Sequence, residues 1–176
     1  MRWLAGVASA LVLAACAGSS TPGAVATAPA RDQPGVPGDA FRATVLRVVD
    51  GDTFLARRDG HELRVRLIGV DAPESVKPDS PVECYGREAS RVLHDLLPAG
   101  ALVRGAYEDG GDTDQFGRQL WDVWLPDGRF LQAVLVTQGA VEARLYRPQR
   151  EYADLLARLE VRARADGRGL WGHCSR

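Results

Sequence analysis

The sequence predicts an α+β fold, a small closed barrel of five strands carrying three helices. Short β-branched segments separated by tight-turn dipeptides recur between residues 43 and 125. One stretch with helical apolar spacing falls between the third and fourth of these segments, and two more follow the fifth. That order suits a closed barrel better than a sandwich, and no repeat of domain-building length is visible.

Each element has a local cause. Residues 43–49, Ala-Thr-Val-Leu-Arg-Val-Val, are rich in β-branched side chains and read as a strand. Asp50-Gly51 turns the chain into a return strand over 53–58, and Asp59-Gly60 turns it again into a third strand over 61–70. In that third strand Leu63, Val65 and Leu67 alternate with Arg64 and Arg66, so one face is apolar and the other positive. Gly69 marks a bulge. Asp71-Ala-Pro-Glu74 is loop, because Pro73 cannot donate to a ladder and keeps Ala72 out of helical geometry.

Residues 75–83, with Pro78 and Pro81, continue the loop. A first helix over 87–97 follows from Ala89, Val92, Leu93, Leu96 and Leu97, and Pro98-Ala-Gly100 stops it. Residues 101–107 are a fourth strand and 108–114 an acidic loop. Residues 118–125, with Trp121 and Trp124, are a fifth strand. Phe130, Leu131, Val134 and Leu135 indicate a second helix ended by Gly139. The third and longest helix covers 150–166, with Leu155, Leu156, Leu159 and Ala163 inward. Together these make a barrel of the oligonucleotide-binding (OB) type.

With 176 residues, 45% of them hydrophobic, the chain holds one domain with a core plus an appendage. The net charge is -1, and Lys77 is the only lysine beside many arginines. Such a balance excludes a protein that coats nucleic acid by bulk electrostatics, so phosphate binding must be local. Residues 1–15, a basic start and a short apolar run, read as a signal peptide. The run ends Leu13-Ala-Ala-Cys16, which resembles the bacterial lipobox, so Cys16 is expected to carry the lipid that anchors an exported protein to the cell envelope. Residues 16–40, rich in Ala, Gly, Ser, Thr and Pro, read as a flexible linker spanning about 25–30 Å, and 41–176 as the folded domain. Cys84 and Cys174 remain in an oxidising compartment; a disulfide is the economical reading and two free thiols the alternative.

The chemistry concentrates in Asp50-Gly-Asp-Thr53 and Arg66-Leu-Ile-Gly-Val-Asp-Ala-Pro-Glu74. Asp52 and Asp71 are hard oxygen donors suited to calcium, whereas His61, His94 and His173 are scattered and make no zinc cluster. Glu74 is placed to align a water as a base. Arg66 and Arg118 are forked donors able to clamp a phosphodiester and stabilise its transition-state charge, so substituting either by alanine is expected to abolish turnover while leaving melting little changed. Alone, each motif is an ordinary turn or loop; their order is the signal.

Those motifs, with Tyr85-Gly86, Asp114-Gln-Phe-Gly-Arg118, Tyr146-Arg-Pro148 and Gly169-Leu-Trp171, resemble the thermonuclease family of staphylococcal-nuclease-like domains, over residues 43–171. The resemblance implies an OB-fold barrel and calcium-dependent hydrolysis of DNA and RNA at the bond to the 5′-oxygen, leaving 3′-phosphates. It implies Asp52, Asp71 and the Ala72 carbonyl as calcium ligands, Arg66, Glu74 and Arg118 as catalytic residues, and Tyr146 and Phe116 as substrate contacts. Ala72, Gln115, Phe116 and Arg144 stand where threonine, lysine, tyrosine and tyrosine are expected, and Lys77 alone represents a lysine-rich loop. Less positive charge predicts a shallower salt dependence of substrate binding. A monomer is expected. The competing classes are a catalytically inactive OB-fold module that binds nucleic acid, in which the acidic and arginine positions are typically lost, and a structural envelope lipoprotein, which leaves their spacing unexplained.

Overall fold

A computed structural model of the chain describes residues 32–75, 81–107, 113–144 and 151–175. The signal segment, Cys16, Lys77 and Tyr146 lie outside them. In chain order the elements are β1 (Phe41–Asp50), β2 (Thr53–Arg58), β3 (His61–Leu67), β4 (Val70–Asp71), α1 (Gly86–Leu96), β5 (Leu102–Ala106) and β6 (Gln119–Trp124). There follow α2 (Leu131–Gln138), β7 (Glu142–Ala143), α3 (Ala153–Ala165) and the short α4 (Leu170–His173). Five strands close a barrel in the order β1-β2-β3-β6-β5, the expected α+β, OB-type architecture. All pairs are antiparallel except β3 with β6, whose register sets Arg66 beside Leu120.

Phe54, Ala56, Val65, Leu67, Trp121 and Val123 fill the barrel, because alternate residues of each strand point inward. Each large apolar side chain buried there contributes about 1.5–3 kcal/mol. Helix α2 is buried on all sides from Leu131 to Thr137, packed against β6 and α3, so it shows no polar stripe. Its one fully buried amide, Gln132, is satisfied. Oε1 accepts the Val123 amide at 3.2 Å, and Nε2 donates to Trp121 O and Asp122 Oδ1, both at 3.1 Å.

Two sequence expectations require correction. The third strand does not run to residue 70. It ends at Leu67, and Gly69, at φ +72°, turns the chain through the left-handed region that glycine alone enters without steric cost. Val70 and Asp71 leave the barrel and pair with Ala143 and Glu142 of β7, a second small sheet. Residues 32–40, expected to be part of a flexible linker, are instead fastened to the barrel. Arg162 Nη1 pairs with Asp32 Oδ2 at 2.9 Å, Phe130 N donates to Gln33 Oε1 at 2.7 Å, and Trp124 Nε1 donates to Pro34 O at 3.0 Å. Arg104 Nε reaches Ala40 O at 3.0 Å. A Pro/Gly-rich composition shows that a segment has no core of its own, yet its carbonyls still satisfy donors at the barrel's edge.

Cys84, exposed just before α1, is bonded to Cys174 across 90 residues of sequence, with Cα atoms 5.9 Å apart. Closing so long a loop stabilises the fold by about 4–5 kcal/mol in the chain-entropy account.

Deleting residues 32–40 strands the Trp124 indole and the Phe130 amide, at a cost of about 2–3 kcal/mol. Calorimetry of a chain starting at residue 41 should show melting lowered by about 5–10 °C against one starting at 32; equal melting temperatures would remove the structural role of this segment.

Candidate active site

The β1–β2 turn, the end of β3 and the β4 segment meet at one edge of the barrel. Asp50 caps the turn. Its Oδ1 accepts the Gly51 amide at 2.7 Å and the hydroxyls of Ser75 and Ser90 at 2.6 and 3.2 Å, which ties the turn to α1 and to the loop after β4. Gly51 is required by close approach, since a Cβ there would lie 2.7 Å from that of Ala72 and 2.9 Å from that of Ala89.

Asp52 is only 6% exposed. Its Oδ1 accepts the Thr53 hydroxyl at 2.9 Å, and its Oδ2 accepts the Ala72 amide at 2.8 Å and forms an ion pair with Arg66 Nη1. Arg66, 7% exposed, donates from Nη2 to Asp71 Oδ1 at 2.7 Å and to Val70 O at 3.0 Å. One guanidinium therefore joins two carboxylates that are 19 positions apart in the chain. On the other side of Asp71, Arg144 Nε lies 3.6 Å from Oδ2. Its backbone is held there because Arg144 N donates to Gly69 O at 2.9 Å.

Arg118 comes from the loop between β5 and β6. Its Nε donates to Asp114 Oδ2 at 2.7 Å, and its guanidinium lies 5.5 Å from the Phe116 ring centre. Asp114 Oδ1 accepts the amides of Phe116 and Arg118, both at 2.9 Å, and so shapes the loop. Partial burial pushes the Asp114 carboxyl up, but the Arg118 amide and guanidinium and the Phe116 amide outweigh it and hold the carboxyl below the usual carboxylate range.

Arg66 and Arg118 line one cleft of 480 Å3, with Gly69, Phe116 and Leu120 between them. Phe116 is 73% exposed at its mouth. Glu74 sits beyond Pro73, outside the residues that line this cleft. Its carboxylate accepts the Ser75 amide at 3.0 Å, and its backbone exchanges two hydrogen bonds with Glu83, Glu83 N to Glu74 O at 2.9 Å and Glu74 N to Glu83 Oε2 at 3.0 Å. The structure thus gathers Asp52, Arg66, Asp71 and Ala72 into one network and opens Arg66, Arg118 and Phe116 onto one cleft. Arg144 and Asp114 were not singled out from sequence as part of this site. The Asp114–Arg118 spacing of four, with a glycine between, was the available signal for the second.

The model of the family described as staphylococcal nuclease homologue matches residues 64–173, well over half the chain. The chain belongs to this family. It is 37% identical over 129 residues to the thermonuclease of Staphylococcus hyicus, covering 73% of this chain and 75% of that protein. It is 40% identical over 127 residues to the thermonuclease of Staphylococcus intermedius, covering 72% and 74%. Endonuclease YncB of Bacillus subtilis (strain 168) is 34% identical over 129 residues, 73% of this chain and 60% of that protein.

The donor set of this family member suits a hard divalent cation. The candidate ligands are all oxygens, Asp52 and Asp71 already converge on one positive charge, and Cys84 and Cys174 offer no thiolate because they are bonded to each other. Among the described residues no group of three or more His, Cys, Asp or Glu side chains surrounds a common point. Backbone oxygen such as that of Ala72, with water or phosphate oxygen, is needed to complete a coordination shell.

Asp114 carries a pH prediction. Its folded-state pKa lies below its unfolded value of about 3.9, so its contribution is complete above that value and is lost as pH falls through the lower folded one. Below about pH 4 the native protein should lose stability faster than Asp114→Asn, narrowing the gap between them. Parallel melting curves from pH 7 to pH 2.5 would refute this.

Proposed function

We propose that the protein is a calcium-dependent nuclease that hydrolyses DNA and RNA at the bond to the 5′-oxygen, leaving 3′-phosphates, outside the cytoplasm. The observation that carries this reading is the shared cleft of Arg66 and Arg118, with the Asp52–Asp71 carboxylate pair at its Arg66 end. The names of the matched relatives support the reaction class.

Two guanidiniums, one from strand β3 and one from the β5–β6 loop, can grip the non-bridging oxygens of one phosphodiester and strengthen that grip as negative charge grows in the transition state. Arg118 is aimed by Asp114 and backed by Phe116, while Arg66 is aimed by Asp52 and Asp71. Calcium held by Asp52, Asp71 and the Ala72 carbonyl would supply charge neutralisation and Lewis acidity beside that phosphate. Glu74 takes a proton from the attacking water, and the backbone of the loop that carries it is anchored through Glu83. Phe116 offers an exposed ring at the cleft mouth for a sugar or base, and Tyr146 is assigned the same role by motif. The short basic and apolar start, the Leu-Ala-Ala-Cys16 motif and the Cys84–Cys174 bond support export and lipid anchoring through Cys16.

Incubating the purified full chain with plasmid DNA and with RNA, in calcium or in chelator, tests the reading. Calcium-dependent loss of both polymers is expected; intact polymers at every calcium level would exclude it. Burial of Arg66 also revises the expectation that its removal spares stability. Arg66→Ala leaves Asp52 and Asp71 without their shared counter-ion, so in chelator its melting temperature should fall by about 5–10 °C, with part of the loss recovered in calcium. Arg118→Ala, at a more exposed position, should lose turnover with little change in melting.

A further inference from the structure

The strand register arranges side chains in rows across the outer face of β1, β2 and β3. The first row, Asp50, Thr53 and Arg66, belongs to the proposed site. The next row is Arg47, Leu55 and Arg64, and the one after it is Thr44, Arg57 and Glu62. Arg64 precedes Arg66 by two residues, so both project from the same face of β3, about 7 Å apart.

Arg47 and Arg64 are exposed and make no ion pair among the described residues. Arg58, Arg91, Arg129 and Arg168, by contrast, each have a carboxylate oxygen between 2.6 and 3.1 Å away. Between the two uncompensated guanidiniums lies Leu55, half-buried. In the following row the strand register sets Arg57 opposite a carboxylate, Glu62, whereas the row of Arg47 and Arg64 contains none. On a protein of net charge -1, a cationic row continuous with the cleft is a local feature of the field. It also lies on the strand face that OB folds generally offer to ligands, between the β1–β2 turn and the β5–β6 loop that carries Arg118.

We propose that a single-stranded polynucleotide runs from the cleft across this face, with Arg47 and Arg64 each binding one of its phosphates and Leu55 supporting the sugar or base between them. The proposal rests on the nuclease reading of the site and adds a substrate class, polymers long enough to reach the second row. The alternation of cation, apolar side chain and cation suits a single strand, whose bases are free to lie on Leu55; in a duplex the base faces are stacked on one another and cannot.

The test compares the full chain with its Arg47→Glu/Arg64→Glu form, and with the milder Arg47→Gln/Arg64→Gln form in case charge reversal perturbs folding. Fluorescence anisotropy with a long single-stranded oligonucleotide in chelator measures binding without cleavage. The glutamate variant should bind about tenfold more weakly, and the slope of log affinity against log salt should become shallower by about 1.4, two phosphates at about 0.7 each. The glutamine variant should show the same direction with a smaller loss. Hydrolysis of a dinucleotide, too short to reach the second row, should stay within about twofold. Oligonucleotide affinity unchanged in both variants, an equal loss on a duplex, or a parallel loss on the dinucleotide would each overturn the proposal. Because binding is read in chelator, a protein that cleaved nothing would still report on it, so the two readings fail separately.

Discussion

The Arg66 guanidinium, shared between Asp52 and Asp71, is the interaction on which the site depends. A buried cation is costly unless it is paired, and Arg66 is paired with two carboxylates and donates to the Val70 carbonyl. In doing so it fixes three pieces of backbone against each other: the β1–β2 turn, the end of β3 and the segment that leaves the barrel after Gly69. The Asp52 carboxylate also accepts the Ala72 amide, so the turn and the departing segment are stitched by a second bond. The same convergence that neutralises Arg66 keeps two hard oxygen donors at one point.

Arg118 is held differently. Its partner Asp114 is four residues away on the same loop, and that carboxylate also receives two backbone amides. The pair is local and partly exposed, so solvent screens it and it contributes less to the fold than the Arg66 network. One arginine is thus tied to the scaffold and the other to a loop that shapes itself around it. Across the cleft, that pairing sets a fixed donor opposite an adjustable one.

Most of the barrel was legible because its signals are local. Asp-Gly turns and alternating strands fall where β1, β2, β3, β5 and β6 lie, and the return strand over 53–58 matches β2 residue for residue. What could not be read depends on contacts distant in sequence. The β4–β7 pair is two residues on each side, too short for any periodicity, and exists because Gly69 redirects the chain towards β7. The fastening of residues 32–40 depends on donors near 124, 130 and 162, invisible in a Pro/Gly-rich composition. Arg66 looked like a surface residue by alternation and is buried because the segment after β3 folds back over it. Arg144 looked like a lost aromatic; the structure turns it towards Asp71, a placement set by the β7 register rather than by any motif.

The Cys84–Cys174 bond closes the account of how the Glu74 loop is held. Glu83, next to Cys84, takes the Glu74 amide and gives its own amide to the Glu74 carbonyl, so the bridged cysteine and the proposed base are two bonds apart in space though ten residues apart in sequence. At the other end of the bridge, α4 is anchored by Leu170 N donating to Gly139 O at 2.9 Å, directly after the buried helix α2. The C-terminal tail and the Glu74 loop are therefore joined by one covalent link and one pair of hydrogen bonds, a short connection between the core and the proposed chemistry. A carboxylate acting on a water is selected by position first and acidity second, so a covalent strut behind its loop serves the geometry that such a role demands.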